Sequence, residues 1–164
     1  IDIVGSPLSA AEVTTSVVLA SVTRGFSIAL ISSLIFTFFL NIQIYDYFFW
    51  FLYIFLSSFF LGSAGFIAGL YADKFDQMAT VTNFVIVPLS FLSGTFYSIE
   101  RLPLILQQIS YYNPFFHMID GFRYAFIGNL DGALKFGSIY LLILSLITWV
   151  CAFYLYKKGY KIKS

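Results

Sequence analysis

Charge is what this sequence has least of. Of 164 residues, 10% are Asp, Glu, Lys or Arg, against roughly a quarter in a soluble domain, and a water-facing surface cannot be tiled from so few. Cysteine occurs once, as Cys151, which excludes an intrachain disulfide and leaves no thiol pair for a metal. Histidine also occurs once, as His117. No GxxxxGK[ST] phosphate loop is present in these residues, so any energy from nucleotide hydrolysis must come from elsewhere. Proline is confined to positions 7, 88, 103 and 114, and each of these marks a place where helical structure starts, bends or stops.

Apolar residues fill the space that charge leaves. They make up 60% of the chain, and the mean hydropathy is +0.88. A membrane crossing takes about 20 apolar residues for a ~30 Å hydrocarbon core, and four stretches qualify, at about 13–40, 47–70, 79–97 and 136–156. The expected class is an all-α polytopic membrane protein with four transmembrane helices and two short outer helices, interfacial or re-entrant, between the third and fourth. Residues 1–164 are read as one transmembrane domain. Ile1 stands where a complete chain would open on methionine, and no basic leader precedes the first polar segment, so the expectation is a C-terminal piece of a longer subunit; processing of a precursor is the other reading.

The opening segment ends in Ser9 and Glu12, three apart before an apolar run, the spacing of a capping box. Pro7 holds the preceding chain extended. Arg24 lies within the first span and has two readings, a charge on a transport path or an interfacial arginine whose head reaches water. A short polar link at 41–46 makes the first two spans antiparallel neighbours, with Tyr45, Tyr47 and Trp50 as an aromatic belt at that interface. Ser58, Gly62, Gly65 and Gly69 recur three or four apart on the second span, a face suited to close helix packing. Asp73, Lys74 and Asp76 form the charged hinge before the third span. With four spans both termini share a side, which holds Arg24, Lys74, Lys157, Lys158, Lys161 and Lys163, six of the nine basic residues. By the positive-inside rule that side is the cytoplasm.

Pro88 predicts a kink or break in the third span, either as a packing feature or as a functional one. Beyond it, Leu102, Ile105, Leu106 and Ile109 follow helical spacing, with Pro103 in the first turn. Asn113 then caps a second short helix with Pro114 at its first position. These outer helices are placed at about 101–128, at the interface or dipping into the outer leaflet. His117, Asp120 and Arg123 are the one cluster of ionisable side chains. His117 and Asp120, three apart, have the residue types of an oriented base, but no nucleophile motif, second carboxylate cluster or metal-ligand set stands beside them. A helical ion pair with a hydrogen-bonded histidine is the favoured reading, and no catalytic, cofactor-binding or metal residue is assigned.

Over residues 86–123, IVPLSFLSGTFYSIERLPLILQQISYYNPFFHMIDGFR, the chain resembles the permease subunits of type-2 ABC exporters. Pro88, Ser93, Gly94, Leu102, Pro103, Asn113, Pro114, His117, Asp120 and Arg123 carry the likeness, together with SPLSAAE near the start; Ser98 and Thr95 depart from the usual pattern of the outer turn. The resemblance implies a six-span subunit of which this is the later part. It implies a cytoplasmic ABC ATPase and a second permease subunit, the same or different, as partners in a cell membrane. The cargo would be an amphiphile, polysaccharide or drug-like molecule leaving the cytoplasm. Residues 1–12 correspond to the ATPase-coupling segment, with Ser6, Pro7, Leu8, Ser9 and Glu12 as its key positions, and the Pro88 to Arg123 set to an outer gate. The alternatives are a non-transporting membrane scaffold packed through Ser58, Gly62, Gly65 and Gly69, and a membrane enzyme using His117 and Asp120. Nothing points to nucleic acid.

Overall fold

Ser9 and Glu12 do close a capping box. The Ser9 Oγ accepts the Glu12 N–H at 3.3 Å, and the Ser9 N–H donates to Glu12 Oε2 at 2.7 Å, which satisfies two backbone donors that a helix start otherwise leaves without partners. Helix α1 runs from there over Ala10–Leu40. A computed structural model describes residues 9–72, 74–95, 102–130 and 132–159, and among them every regular element is a helix. Ser6, Pro7 and Leu8 of the expected coupling segment lie outside the described residues, as do Asp73, Ser98 and Arg101. Asp46 caps the second helix, α2 (Tyr47–Tyr71), by accepting the N–H groups of Phe48 and Phe49 at 2.9 and 3.2 Å.

The third expected span departs from a single long helix. It is built as α3 (Phe75–Val81), a π turn (Thr82–Ile86) and α4 (Val87–Phe91). Pro88 has no N–H, and its ring crowds the carbonyl four residues earlier. The Val87 N–H reaches back five residues to the Thr82 carbonyl, so the ladder takes in an extra residue as a π turn and the chain continues instead of breaking. None of residues 76–91 is buried. Among the described residues, three helices are long and apolar enough to cross a membrane: α1, α2 and the last helix, which we call α7 (Leu134–Lys157).

The two short helices expected at 101–128 are α5 (Leu104–Tyr112) and α6 (Pro114–Ile127). Pro103 occupies the cap position before α5, not its first turn. The expected apolar stripe is split: Ile105 and Ile109 are 73% and 48% exposed, with Leu104 beside them at 76%, whereas Leu102 and Leu106 are half-buried and Ser110 is buried. An outward apolar face of this kind fits hydrocarbon or another chain, not water.

Helix α2 is the centre of the bundle, packed against α1, α6 and α7. Met118 on α6 clusters with Tyr53, Leu56 and Phe60 of α2 and Leu141 of α7. Ala125 and Phe126 meet Trp50 and Ile54 nearer the start of α2, and the Ala125 carbonyl accepts the N–H groups of Tyr45 and Asp46 at 2.8 and 3.0 Å. Helix α6 therefore runs antiparallel to α2. Trp50 does not belong to an aromatic belt. It is 3% exposed, and its Nε1–H donates to the Ser33 Oγ at 3.0 Å. That bond satisfies the one polar group of an otherwise apolar ring, so the ring can turn inward. Tyr45 and Tyr47 do stay exposed.

Candidate functional site

Asn113 does two jobs with one amide. Its Oδ1 accepts the Phe115 N–H at 3.0 Å and so caps α6, where Pro114 fits because its missing donor would have no helical partner anyway. Its Nδ2 donates to the Leu89 carbonyl at 2.6 Å, which ties the start of α6 to α4. One turn on, His117 Nε2 lies 2.8 Å from the Tyr111 carbonyl, and the Tyr140 hydroxyl of α7 donates to the Tyr112 carbonyl at 2.7 Å. The last carbonyls of α5, which a helix end leaves without intrahelical partners, are thus met by side chains from two other helices.

Asp120 Oδ2 accepts the Gly132 N–H at 3.0 Å, which fixes the link between α6 and α7. Arg123 Nη2 donates to the Gly94 carbonyl at 2.7 Å, in the turn that follows α4. Gly94 has φ 74°, a left-handed conformation that a side chain would strain, and Ser93 beside it is buried, with its Oγ on the Ser90 carbonyl. The structure therefore brings together Ser93, Gly94, Asn113, His117, Asp120 and Arg123, with α6 as the hub. Pro88 stands one residue from the Leu89 carbonyl that Asn113 holds. Burial pushes the His117 pKa down, opposed by the Tyr111 carbonyl and the charge of Asp120.

Three contacts of this hub were not read from the sequence. The Tyr53 ring occupies the space that a Cβ on Gly121 would fill. A Cβ on Gly137 would meet His117 Nδ1 at 3.1 Å and the Tyr53 Oη at 3.3 Å. Tyr53 itself is 1% exposed, and its hydroxyl donates to the Leu134 carbonyl at 3.1 Å and accepts from Ser138 at 3.0 Å. Gly121 was the available signal, since a glycine inside a helix costs about 1 kcal/mol relative to alanine and so points to a close approach.

A cavity of about 580 Å³ opens between α1, α2 and α6. Ile28, Ile54, Ile119 and Phe122 give it apolar walls, Ser32, Ser57 and Ser58 supply hydroxyls, and Arg123 stands on the α6 side. Neither His117 nor Asp120 borders it. Among the described residues no group of three metal-ligating side chains occurs. Ser58 packs where Gly25 lacks a side chain, and Gly62 leaves room for Ser21, so those two members of the small-residue face bring α1 against α2. Gly65 and Gly69 have no atom within 4 Å of a built Cβ; they line a separate groove of about 440 Å³. Glu12, at the other end of α1, lies about 42 Å along the axis from Leu40 at 1.5 Å per residue, so the capping box and the α6 hub are at opposite ends of the bundle.

The sequence profile of the ABC-2 type transporter family matches residues 3–127. The chain is similar to the inner membrane transport permease YadH of Escherichia coli strain K12, with 36% identity over 155 residues that make up 90% of this chain and 58% of that protein. The YadH of Shigella flexneri matches with the same figures. Nodulation protein J of Rhizobium leguminosarum bv. viciae is 33% identical over 67 residues, 41% of this chain and 26% of that protein. The chain therefore spans little more than half the length of the YadH permeases. No solved structure matches it.

Proposed function

This chain belongs to the ABC-2 type transporter family, and from that premise we propose that it forms the later part of a permease subunit in an ATP-driven exporter. The subunit pairs with a second permease subunit and takes its energy from a cytoplasmic ABC ATPase. It moves an amphiphile, polysaccharide or drug-like molecule out of the cytoplasm, across the inner or plasma membrane of the cell. In this reading residues 1–164 are one transmembrane domain, with the α3–α4 run as a fourth crossing beside α1, α2 and α7. Helices α5 and α6 form a hairpin that dips into the outer leaflet, and both ends of the chain face the cytoplasm.

The observation that carries this reading is the α3–α4 run. It is an apolar helix with no buried residue from 76 to 91, held at its outer end by the Leu89 and Gly94 carbonyls. A membrane helix that leaves its faces uncovered within its own chain suits a path or a second subunit. The enzyme reading finds less support, since His117 and Asp120 are 3% and 4% exposed and engage Tyr111 and Gly132, which leaves no room for a substrate beside them. The scaffold reading would leave the Pro88 π turn and the α6 hub without a purpose.

The test is reconstitution of the full-length permease with its candidate ATPase in vesicles. Co-purification of the two and ATP-dependent release of an amphiphile support the proposal. A permease that neither binds an ATPase nor alters its turnover overturns it.

A further inference from the structure

Arg24 is exposed in the first half of α1, and the packing of α1 on α2 sets its depth. Trp50 bonds Ser33, Gly25 lies against Ser58 and Gly62 against Ser21, so the two helices run antiparallel and Arg24 stands level with the middle of α2. At 1.5 Å per residue each end of α2 is about 18 Å away along the axis, more than half of a ~30 Å hydrocarbon core. The short methylene stem of an arginine does not carry its head that far, so the interfacial reading of this residue fails on depth. The guanidinium has no hydrogen bond or ion pair among the described residues. A charge at this depth is met by an opposite charge or by polar groups, since hydrocarbon offers neither.

The face around Arg24 is shaped for a helix. Ser16, Ala20, Thr23 and Ser27 follow one another at intervals of four, three and four residues, and all are exposed. Small residues at such spacing let a second membrane helix come close. The hydroxyls of Ser16, Thr23 and Ser27 are turned onto carbonyls of their own helix, each at 2.9 Å, which leaves the guanidinium in want of a partner. From Ile28 onward the exposed positions are bulky, with Ile28, Ile31, Leu34 and Phe38 facing outward, a surface suited to acyl chains. Neither the α1–α2–α6 cavity nor the groove of Gly65 and Gly69 borders Arg24. A lipid phosphate stays at headgroup level, far from the middle of α2.

We propose that the face of α1 at 16–27 receives a membrane helix of the same subunit, from the part that precedes Ile1, and that an Asp or Glu at mid-depth on that helix pairs with Arg24. The preceding helix exists only if this chain is the later part of a longer permease subunit, the reading on which the pairing rests. The YadH permeases have length to spare for it, since the match covers 58% of them. Chain order favours this source over a second subunit. The face occupies the half of α1 nearest to where the chain enters it, and helices joined in sequence are usually neighbours.

The experiment uses the full-length permease in lipid nanodiscs. Ala20→photo-leucine, a small diazirine side chain, is photolysed beside Ile35→photo-leucine as control. Position 20 should crosslink to a peptide upstream of Ile1 that carries an acidic residue within an apolar run, in a product that migrates as one polypeptide; position 35 should give lipid adducts. Crosslinks between two permease copies, or lipid adducts alone at position 20, overturn the assignment. Dicyclohexylcarbodiimide, which modifies protonated carboxyl groups in apolar surroundings, tests the charge. Arg24→Gln leaves the carboxylate without its cation, so that it takes up a proton, and labelling of that acidic residue should rise at least about tenfold. Arg24→Lys keeps the charge and should hold labelling near the wild-type level. Unchanged labelling in Arg24→Gln, or crosslinks to a helix with no acidic residue, overturns the pairing. If Arg24→Gln does not assemble, the crosslinks from position 20, made with Arg24 in place, decide both points. Intrachain crosslinks in a permease that drives no ATP-dependent export keep this inference and remove the exporter reading; export with lipid adducts alone at position 20 does the reverse.

Discussion

The Asn113 amide and the Leu89 carbonyl meet at 2.6 Å, and through this bond the helix that carries Pro88 is fastened to the start of α6. Interhelical hydrogen bonds of this kind are worth about 0.6 kcal/mol on average in a membrane and up to roughly 1.7. Asn113→Asp keeps the cap acceptor but sets a carboxylate against the Leu89 carbonyl. It should raise hydrogen exchange across 86–95 while α6 stays protected. Asn113→Ala loses the cap as well and should loosen both segments. Equal exchange in wild type and Asn113→Asp would remove the tie between the helices.

Gly121→Ala places a methyl group inside the Tyr53 ring. Overpacking of this sort costs about 1–3 kcal/mol, read as a lower unfolding midpoint in mixed micelles. Gly65→Ala meets nothing within 4 Å in this chain, and should be neutral or stabilise by up to about 1 kcal/mol through helix propensity. If Gly65→Ala destabilises the full-length permease while Gly121→Ala does not, the packing described for α2 is wrong.

Glu12 separates capping from coupling. Ser9→Thr keeps the hydroxyl that accepts the Glu12 N–H and donates to Glu12 Oε2, so it preserves the cap of α1 and should leave both insertion and transport intact. Glu12→Ala is expected to reduce ATP-driven export several-fold with membrane insertion unchanged. Transport at the wild-type rate in Glu12→Ala would remove this end of α1 from the coupling path.

His117 makes stability depend on pH in one direction. Burial holds its folded-state pKa below the usual 6.5, so on acidification the unfolded chain takes up the proton first. The contribution of neutral His117 is complete above 6.5 and is lost as pH falls from there toward the lowered folded value. Asp120 on α6 opposes this shift, and Tyr53 of α2 and Tyr140 of α7 are the other titratable groups around the ring. The melting midpoint should be flat above neutrality and fall through 6.5, and His117→Asn should flatten that step. An unaltered step in His117→Asn would assign it to another group.

Much of this was legible along the chain because it is local. The capping box needs only Ser9 and Glu12 three residues apart, and the start of α6 needs only Asn113 followed by Pro114. Membrane class and the three long helices follow from apolar length alone, and the family likeness is held in one contiguous stretch. Trp50 was misplaced for the opposite reason: a tryptophan near a helix end looks the same whether it faces headgroups or a serine seventeen residues away. The stripe of Ile105 and Ile109 showed helical spacing, but spacing cannot say whether an apolar face looks inward or outward.

By itself the sequence determined to within a few residues where α1, α2, α6 and α7 begin, because caps, prolines and apolar length act over a few residues whatever surrounds them, but it did not give the division of the third span into α3, a π turn and α4. It also determined which residues are chemically able to anchor the two short helices α5 and α6. Tertiary structure alone decided the partners: Gly121 for Tyr53, Leu89 for Asn113 and Gly94 for Arg123. Those pairings join residues far apart in the chain, and only the packing of α1, α6 and α7 on α2 brings their atoms within reach.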